Sequence, residues 1–320
     1  MENTLLVTSS PHLRCAGSTR RIMADVVIGL VPACAAGIYF FGARVIAVIA
    51  ASVISCVVSE HMVRTLMRKE STISDLSAVV TGVLLALNLS PTIPLWIAAV
   101  GGIIAIVIVK QFFGGIGQNF MNPALAARVF LVVSWPAQMT NWIKPGQLDG
   151  VSSATPLALI KKGKEIISIS IPSYWDLFIG NVGGCIGETS AAALLIGAAY
   201  LFYRRVITPE IPFAFIGTVA IFTWIFGGHS LFAGDFIYHV LAGGLILGAF
   251  FMATDYSTSP VTSKGRLIMG AGCGLLVSVI RLYTNYPEGV SFAIILMNIA
   301  VPLIDRFTVP KSFGGEKKVA

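Results

Sequence analysis

The sequence predicts an all-α integral membrane protein of about ten transmembrane helices, built as two five-helix inverted repeats. Three observations carry that expectation. Of 320 residues, 56% are hydrophobic and 12% charged, with a mean hydropathy of +0.84. A soluble core needs a polar shell, which 22 basic and 15 acidic side chains cannot supply for 33.9 kDa. The apolar residues come in blocks long enough to cross a bilayer core, about 20 residues per helix, and the two halves of the chain resemble each other.

Ten apolar segments lie at roughly 22–41, 43–63, 74–89, 93–113, 121–137, 189–203, 211–227, 235–253, 266–283 and 289–305. The first follows Arg20 and Arg21. The N-terminus is polar up to that pair and has no short apolar stretch with a small-residue cleavage site, so this span is expected to stay in the protein. The second has Arg44 at its start and ends before Arg64, Arg68 and Lys69. The third and fifth are short for a full crossing and are read as tilted, broken or buried by neighbours. The fourth carries Lys110 near its end. The following Gly114-Gly115-Ile116-Gly117-Gln118-Asn119 is read as a tight turn into Asn122-Pro123, because it lacks the preceding strand and the spacing of a dinucleotide fingerprint. The chain thus divides into an N-terminal segment 1–21, a first five-span half 22–137, a long polar loop 138–188, a second half 189–305 and a tail 306–320.

Orientation follows from the basic residues. With the N-terminus inside, fifteen Lys and Arg fall on the inner side and six, namely Arg44, Lys144, Lys161, Lys162, Lys164 and Arg281, on the outer side. Both termini are then cytoplasmic and the loop 138–188 faces outward. The net charge of +7 does not form one patch, so nucleic acid is not an expected partner. Five cysteines show no CxxC pair or cluster and four histidines are scattered, so no self-contained iron–sulfur or metal site is expected.

Val79-Val80-Thr81-Gly82-Val83-Leu84-Leu85 of the third span resembles Val240-Leu241-Ala242-Gly243-Gly244-Leu245-Ile246 of the eighth, offset by 161 residues. Each is the third span of its half, and each is followed by a Ser-Pro step, Ser90-Pro91 and Ser259-Pro260. An odd number of spans per half inserts the second copy upside down. The two Ser-Pro regions have two readings: interrupted helices meeting near the midplane, or connecting turns at the membrane surface.

The loop 138–188 holds Asp149-Gly150-Val151-Ser152-Ser153-Ala154-Thr155-Pro156. This fits the pattern Asp-Gly-x-Ser/Thr-Ser-Ala-Thr, on which flavin transferases attach FMN to the last threonine through a phosphoester. Gly150, Ser152, Ser153 and Ala154 keep the approach small enough for a modifying enzyme. Thr155 could also simply cap a short helix opened by Pro156. Polar residues at membrane depth are Glu60, Lys110, Asn119, Asn122, Arg128, Glu188, Asp235, His239, Asp255 and Asn298, most within snorkelling distance of a span end. Arg128 is the deepest charge. It either faces the flavin phosphate or pairs with Glu188.

Ser10-Pro11-His12, the Gly-Gly-x-Gly-x-Asn-x-Met-Asn-Pro-Ala run at 114–124, the motif at 149–156, Gly187-Glu188-Thr189-Ser190 and Ala253-Thr254-Asp255-Tyr256-Ser257-Thr258-Ser259-Pro260 resemble the D-subunit family of Rnf complexes across nearly the whole chain. The resemblance implies a urea-transporter-like fold in a bacterial or archaeal cell membrane. It implies a component of an ion-translocating ferredoxin:NAD oxidoreductase with FMN on Thr155 and a second, noncovalent flavin such as riboflavin. Its partners would be a flavin transferase and the complex's iron–sulfur and flavin subunits, since NAD and ferredoxin chemistry have no motif here. The sister family, the B subunit of sodium-pumping NADH:quinone reductase, usually has a longer N-terminus; the compact start here favours Rnf. Alternatives from other classes are a non-redox solute channel and a scaffold for partner subunits. Sodium and proton both stay open as the coupling ion.

Overall fold

The computed structural model describes residues 18–146, 154–163, 172–228, 230–284, 286 and 288–310. Among these, every regular element is helical. The Ser18 side chain caps α1 (Thr19–Phe41), which ends at Gly42, a left-handed position with φ 77°. α2 (Arg44–Leu66) follows after a tight turn. α3 (Ser77–Leu87) is only 11 residues long and buries every side chain except Val79. α4 (Leu95–Gln111) turns π-helical over its last seven residues, Ala105–Gln111, a local widening often found at functional sites. α5 (Pro123–Ser134) starts on Pro123 with Asn122 accepting from the backbone N–H of Ala124 and Leu125. Three short helices follow: α6 (Pro136–Met139), α7 (Pro156–Gly163) and α8 (Tyr174–Ile179).

The second half contains α9 (Ala191–Tyr203), α10 (Glu210–Phe226), α11 (Phe236–Leu241) and α12 (Leu245–Leu247), the last continuing as a π-helix over Gly248–Met252. α13 (Ser263–Tyr283) and α14 (Val290–Thr308) close the fold. Four helices, α1, α2, α13 and α14, are long and apolar enough to cross a bilayer alone; α3, α4, α5, α9 and α10 are shorter apolar helices. Exposed apolar side chains such as Ile28, Ile54, Leu275 and Leu303 cover the outer faces of the long four, as lipid contact requires.

Small residues set the closest packing. A Cβ on Gly197 of α9 would stand 1.9 Å from the Gly29 carbonyl oxygen of α1, so the two backbones touch there. α3 leans on α2, whose Ser52 hydroxyl donates to the Gly82 carbonyl at 2.8 Å. α1 packs on α9, α5 on α14, α2 on α4 and α10 on α13.

Two expectations need correction. The apolar run 235–253 is two helices. α11 stops at Ala242, Gly243 takes φ 72°, and α12 restarts at Leu245. The break persists because the buried Arg281 guanidinium donates to the His239 and Ala242 carbonyls, which helix continuation would otherwise occupy. The first Ser-Pro step is not a surface turn: Leu89, Ser90 and Ile93 have no exposure at all. Its irregular backbone is satisfied inside the protein, where Gly187 N–H donates to the Leu87 carbonyl at 2.7 Å and Ile186 N–H to that of Leu89 at 3.0 Å.

Candidate functional site

Thr155 sits at the start of α7, buried at 5% exposure. Its hydroxyl accepts from the Ala158 N–H at 3.4 Å and its carbonyl from the Leu159 N–H at 2.9 Å, so in this chain it is the cap of that helix. Ala154 is half-buried beside it. Asp149, Gly150, Ser152 and Ser153 lie outside the described residues. Thr155 opens on a cleft of about 320 Å³, partly continuous with solvent, shared with Gly183, Gly184, Glu188, Gly243 and Glu288. A side chain at Gly243 would enter Leu157 and crowd the Arg281 guanidinium, so glycine keeps that wall open.

Behind the cleft is a buried charge cluster. Arg128, on α5, donates to Glu288 at 2.6 Å, the Ser291 hydroxyl at 2.8 Å and the Asn88 side-chain oxygen at 3.1 Å. Its second amine also stands 3.3 Å from the Cys185 sulfur and 3.7 Å from Glu188. One guanidinium is therefore shared by two carboxylates, close to one and loosely held by the other. Cys185, Glu188 and Glu288 bring three potential ligand atoms within 4.8 Å of one another, and the guanidinium already supplies the cation at that spot. Burial pushes the Glu288 carboxyl up to about 7, with Glu188 adding to the shift and Arg128 and Arg281 opposing it.

Glu288 also borders a second cleft, about 700 Å³ and likewise open in part, lined by Arg128, Met139, Trp142, Tyr286, Ser291 and Phe292. The sequence pattern offered Glu188 as the partner of Arg128; Glu288 is the nearer one and was missed. It lies one residue before the last apolar block, where an acid reads as an ordinary surface group, and only the folding of α5 against α14 brings it inward.

A separate pocket, open in part to solvent and enclosing about 90 Å³, lies at the other end of α3, lined by Ser77, Lys110, Asn119, Asn122, Phe250 and Asp255 among others. Lys110 and Glu60 do not snorkel. They are buried together at 3.0 Å, with Ser77 accepting from Lys110 at 2.5 Å and Gln111 and Thr72 donating to Glu60 at 3.1 and 2.6 Å. Asn122 donates to the Met252 carbonyl at 3.2 Å, and Asp255 accepts from Ser257 and Thr258. Asp235 instead caps α11 and accepts from Tyr174 at 2.6 Å. Glu60, Lys110, Asn119, Asn122 and Asp255 thus gather at one site and Arg128 and Glu188 at another, separated by the length of α3, roughly 16 Å at 1.5 Å per residue.

The sequence profile of the NQR2, RnfD, RnfE family matches residues 6–314. A protein of Acetobacterium woodii, named as the D subunit of a Na+-translocating ferredoxin:NAD+ oxidoreductase complex, is 52% identical over 99% of this chain and 97% of its own. One of Clostridium ljungdahlii, named as the D subunit of a proton-translocating ferredoxin:NAD+ oxidoreductase complex, is 46% identical over 98% and 97%. An Escherichia coli protein, named as the D subunit of an ion-translocating oxidoreductase complex, is 35% identical over 97% and 99%. With a profile match along nearly its full length and relatives of this similarity end to end, the chain belongs to the NQR2, RnfD, RnfE family.

Proposed function

We propose that this chain is the D-type membrane subunit of an ion-translocating ferredoxin:NAD oxidoreductase, and that it relays electrons through FMN held on Thr155 by a phosphoester. The observation that carries the reading is the placement of Thr155. Its hydroxyl stands at a helix N-terminus, where backbone N–H groups and the helix dipole favour a phosphate. It opens on a glycine-walled cleft backed by Arg128, Glu188 and Glu288. When bound, FMN accepts electrons in pairs and releases them singly. The chain's part is to hold it, to fix the charge around it and to limit its solvent access. Arg128 acts on that environment through the carboxylates it pairs with. Because Thr155 is buried, the transferase acts before α7 packs down.

The finer architecture belongs to the same proposal. Ten spans in two inverted halves are supported by the matching pattern of contacts: α1 meets its counterpart α9, α5 meets α14, and α2 on α4 mirrors α10 on α13. Lysine and arginine placement supports cytoplasmic termini with the Thr155 loop outside. The cavity at the start of α3, with its amide, hydroxyl and aromatic lining, suits a second, noncovalent flavin such as riboflavin. The coupling ion stays open between sodium and proton, since the Acetobacterium and Clostridium relatives carry different ions in their names.

Peptide mass analysis of protein produced beside its flavin transferase tests the core of the reading. An FMN-sized adduct on the Thr155 peptide, absent in Thr155→Val, is expected. An unmodified Thr155, with the transferase active on another target, would sink the redox assignment.

A further inference from the structure

We propose that Glu288 is the proton-exchanging group of the Thr155 flavin site, and that Arg128 shifts from Glu288 toward Glu188 when Glu288 takes up a proton. The inference rests on the flavin reading above. Three features of the geometry carry it.

Among the described residues, Glu288 is the one that lines both the cleft opened by Thr155 and the neighbouring aromatic cleft. Its side chain keeps 14% exposure, against 7% for Arg128 and 5% for Glu188. Within the cluster it is therefore the acid that solvent protons reach.

The Arg128 guanidinium already spans both carboxylates, at 2.6 Å from Glu288 and 3.7 Å from Glu188. The Glu188 oxygen facing it has no hydrogen-bond partner among the described residues. A vacant acceptor within about 1 Å of hydrogen-bonding distance gives the guanidinium a second resting place. Asn88 and Ser291 hold the other amine, so the move is a pivot about that end and needs no displacement of α5.

The charges balance in both states. The groups facing Glu288 are Arg128 from α5, Cys185 and Glu188 from the segment before α9, Arg281 from α13, and Tyr286 from its own connection. With both acids ionised, two carboxylates offset two guanidinium groups. Negative charge added beside this neutral set, as a bound flavin would supply on reduction, would be offset by a proton on Glu288. In that step one O–H bond forms on Glu288 from a solvent proton, its contact with Arg128 opens, and the Arg128–Glu188 contact closes. The electrons for that reduction would come from a one-electron carrier in a partner subunit. Burial holds Glu288 near neutrality, which makes the exchange possible under ordinary conditions.

The test is a potentiometric titration of flavin absorbance on the flavinylated protein, from weakly acidic to weakly alkaline pH, for the wild type, Glu288→Gln and Glu288→Asp. The wild type is expected to show a bend in potential against pH beyond that of free FMN; Glu288→Gln loses it and Glu288→Asp moves it. A Glu288→Gln profile superimposable on the wild type overturns the proposal. Should Glu288→Gln fail to accumulate, the Asp variant decides in the same way, an unmoved bend overturning it. A wild-type Thr155 peptide without FMN overturns the flavin reading and this inference together, whereas flavin present with an unmoved profile overturns this inference alone.

Discussion

Arg128 illustrates what one buried charge demands of its surroundings. Removing a guanidinium from water costs several kcal/mol, and only close, multiple partners offset it. Here five groups do so: Glu288, Glu188, Asn88, Ser291 and the Cys185 sulfur. Arg128→Met removes the cation and strands two carboxylates beside each other, at an expected cost of about 3–5 kcal/mol. Thermal unfolding in detergent reads this directly, and a melting point equal to that of the wild type would show that the cluster adds nothing to stability. The presence of an important charge at 128 was legible in the sequence because an arginine inside an apolar run is rare. Its main partner was not, because Glu288 is 160 residues away and sits in a connection that looks superficial by itself.

At the scale of elements, short helices and their breaks place the site. α3 ends at Asn88 instead of crossing on, and the chain between α8 and α9 folds back to bond the buried carbonyls of Leu87 and Leu89. α11 and α12 are held apart by Gly243 and by the Arg281 guanidinium. Hydropathy marked the third and fifth spans as short but gave no sign of the break inside the eighth, since Ala242-Gly243-Gly244 is as apolar as the helix around it; the only interruption legible there was the Ser-Pro step at its end. Close helix contact is testable at Gly197, where any side chain meets the Gly29 carbonyl. Gly197→Ala forces α1 and α9 apart and is expected to destabilise by about 1–3 kcal/mol. An unchanged unfolding temperature would mean that the two helices do not approach as closely as described.

For the whole molecule, the arrangement separates a pocket at the start of α3 from the charged site proposed for the flavin at its far end, while Leu85, Leu87 and Leu89 are packed into the apolar core. Such a division suits a subunit that connects two faces of a membrane. Lys69 and Lys144 both lie outside the buried core, and the charge distribution assigns them to opposite sides. Lys144→Cys is expected to react with a membrane-impermeant maleimide on intact cells, and Lys69→Cys only after permeabilisation. The reverse pattern would invert the proposed orientation and put Thr155 on the cytoplasmic side.

The sequence by itself determined the membrane class, the helical architecture, the shortness of the third and fifth spans and the threonine at which to look for a cofactor. Those properties are local: hydropathy, basic flanks and a motif of adjacent residues each act over a few turns of chain. Only the tertiary structure decided which polar groups work together. It paired Lys110 with Glu60 across 50 residues, turned Arg281 into the cap of a broken helix, and drew Glu288 in beside Arg128. A buried charge is stabilised by whatever partners the packing delivers, and packing joins residues that the linear pattern keeps far apart.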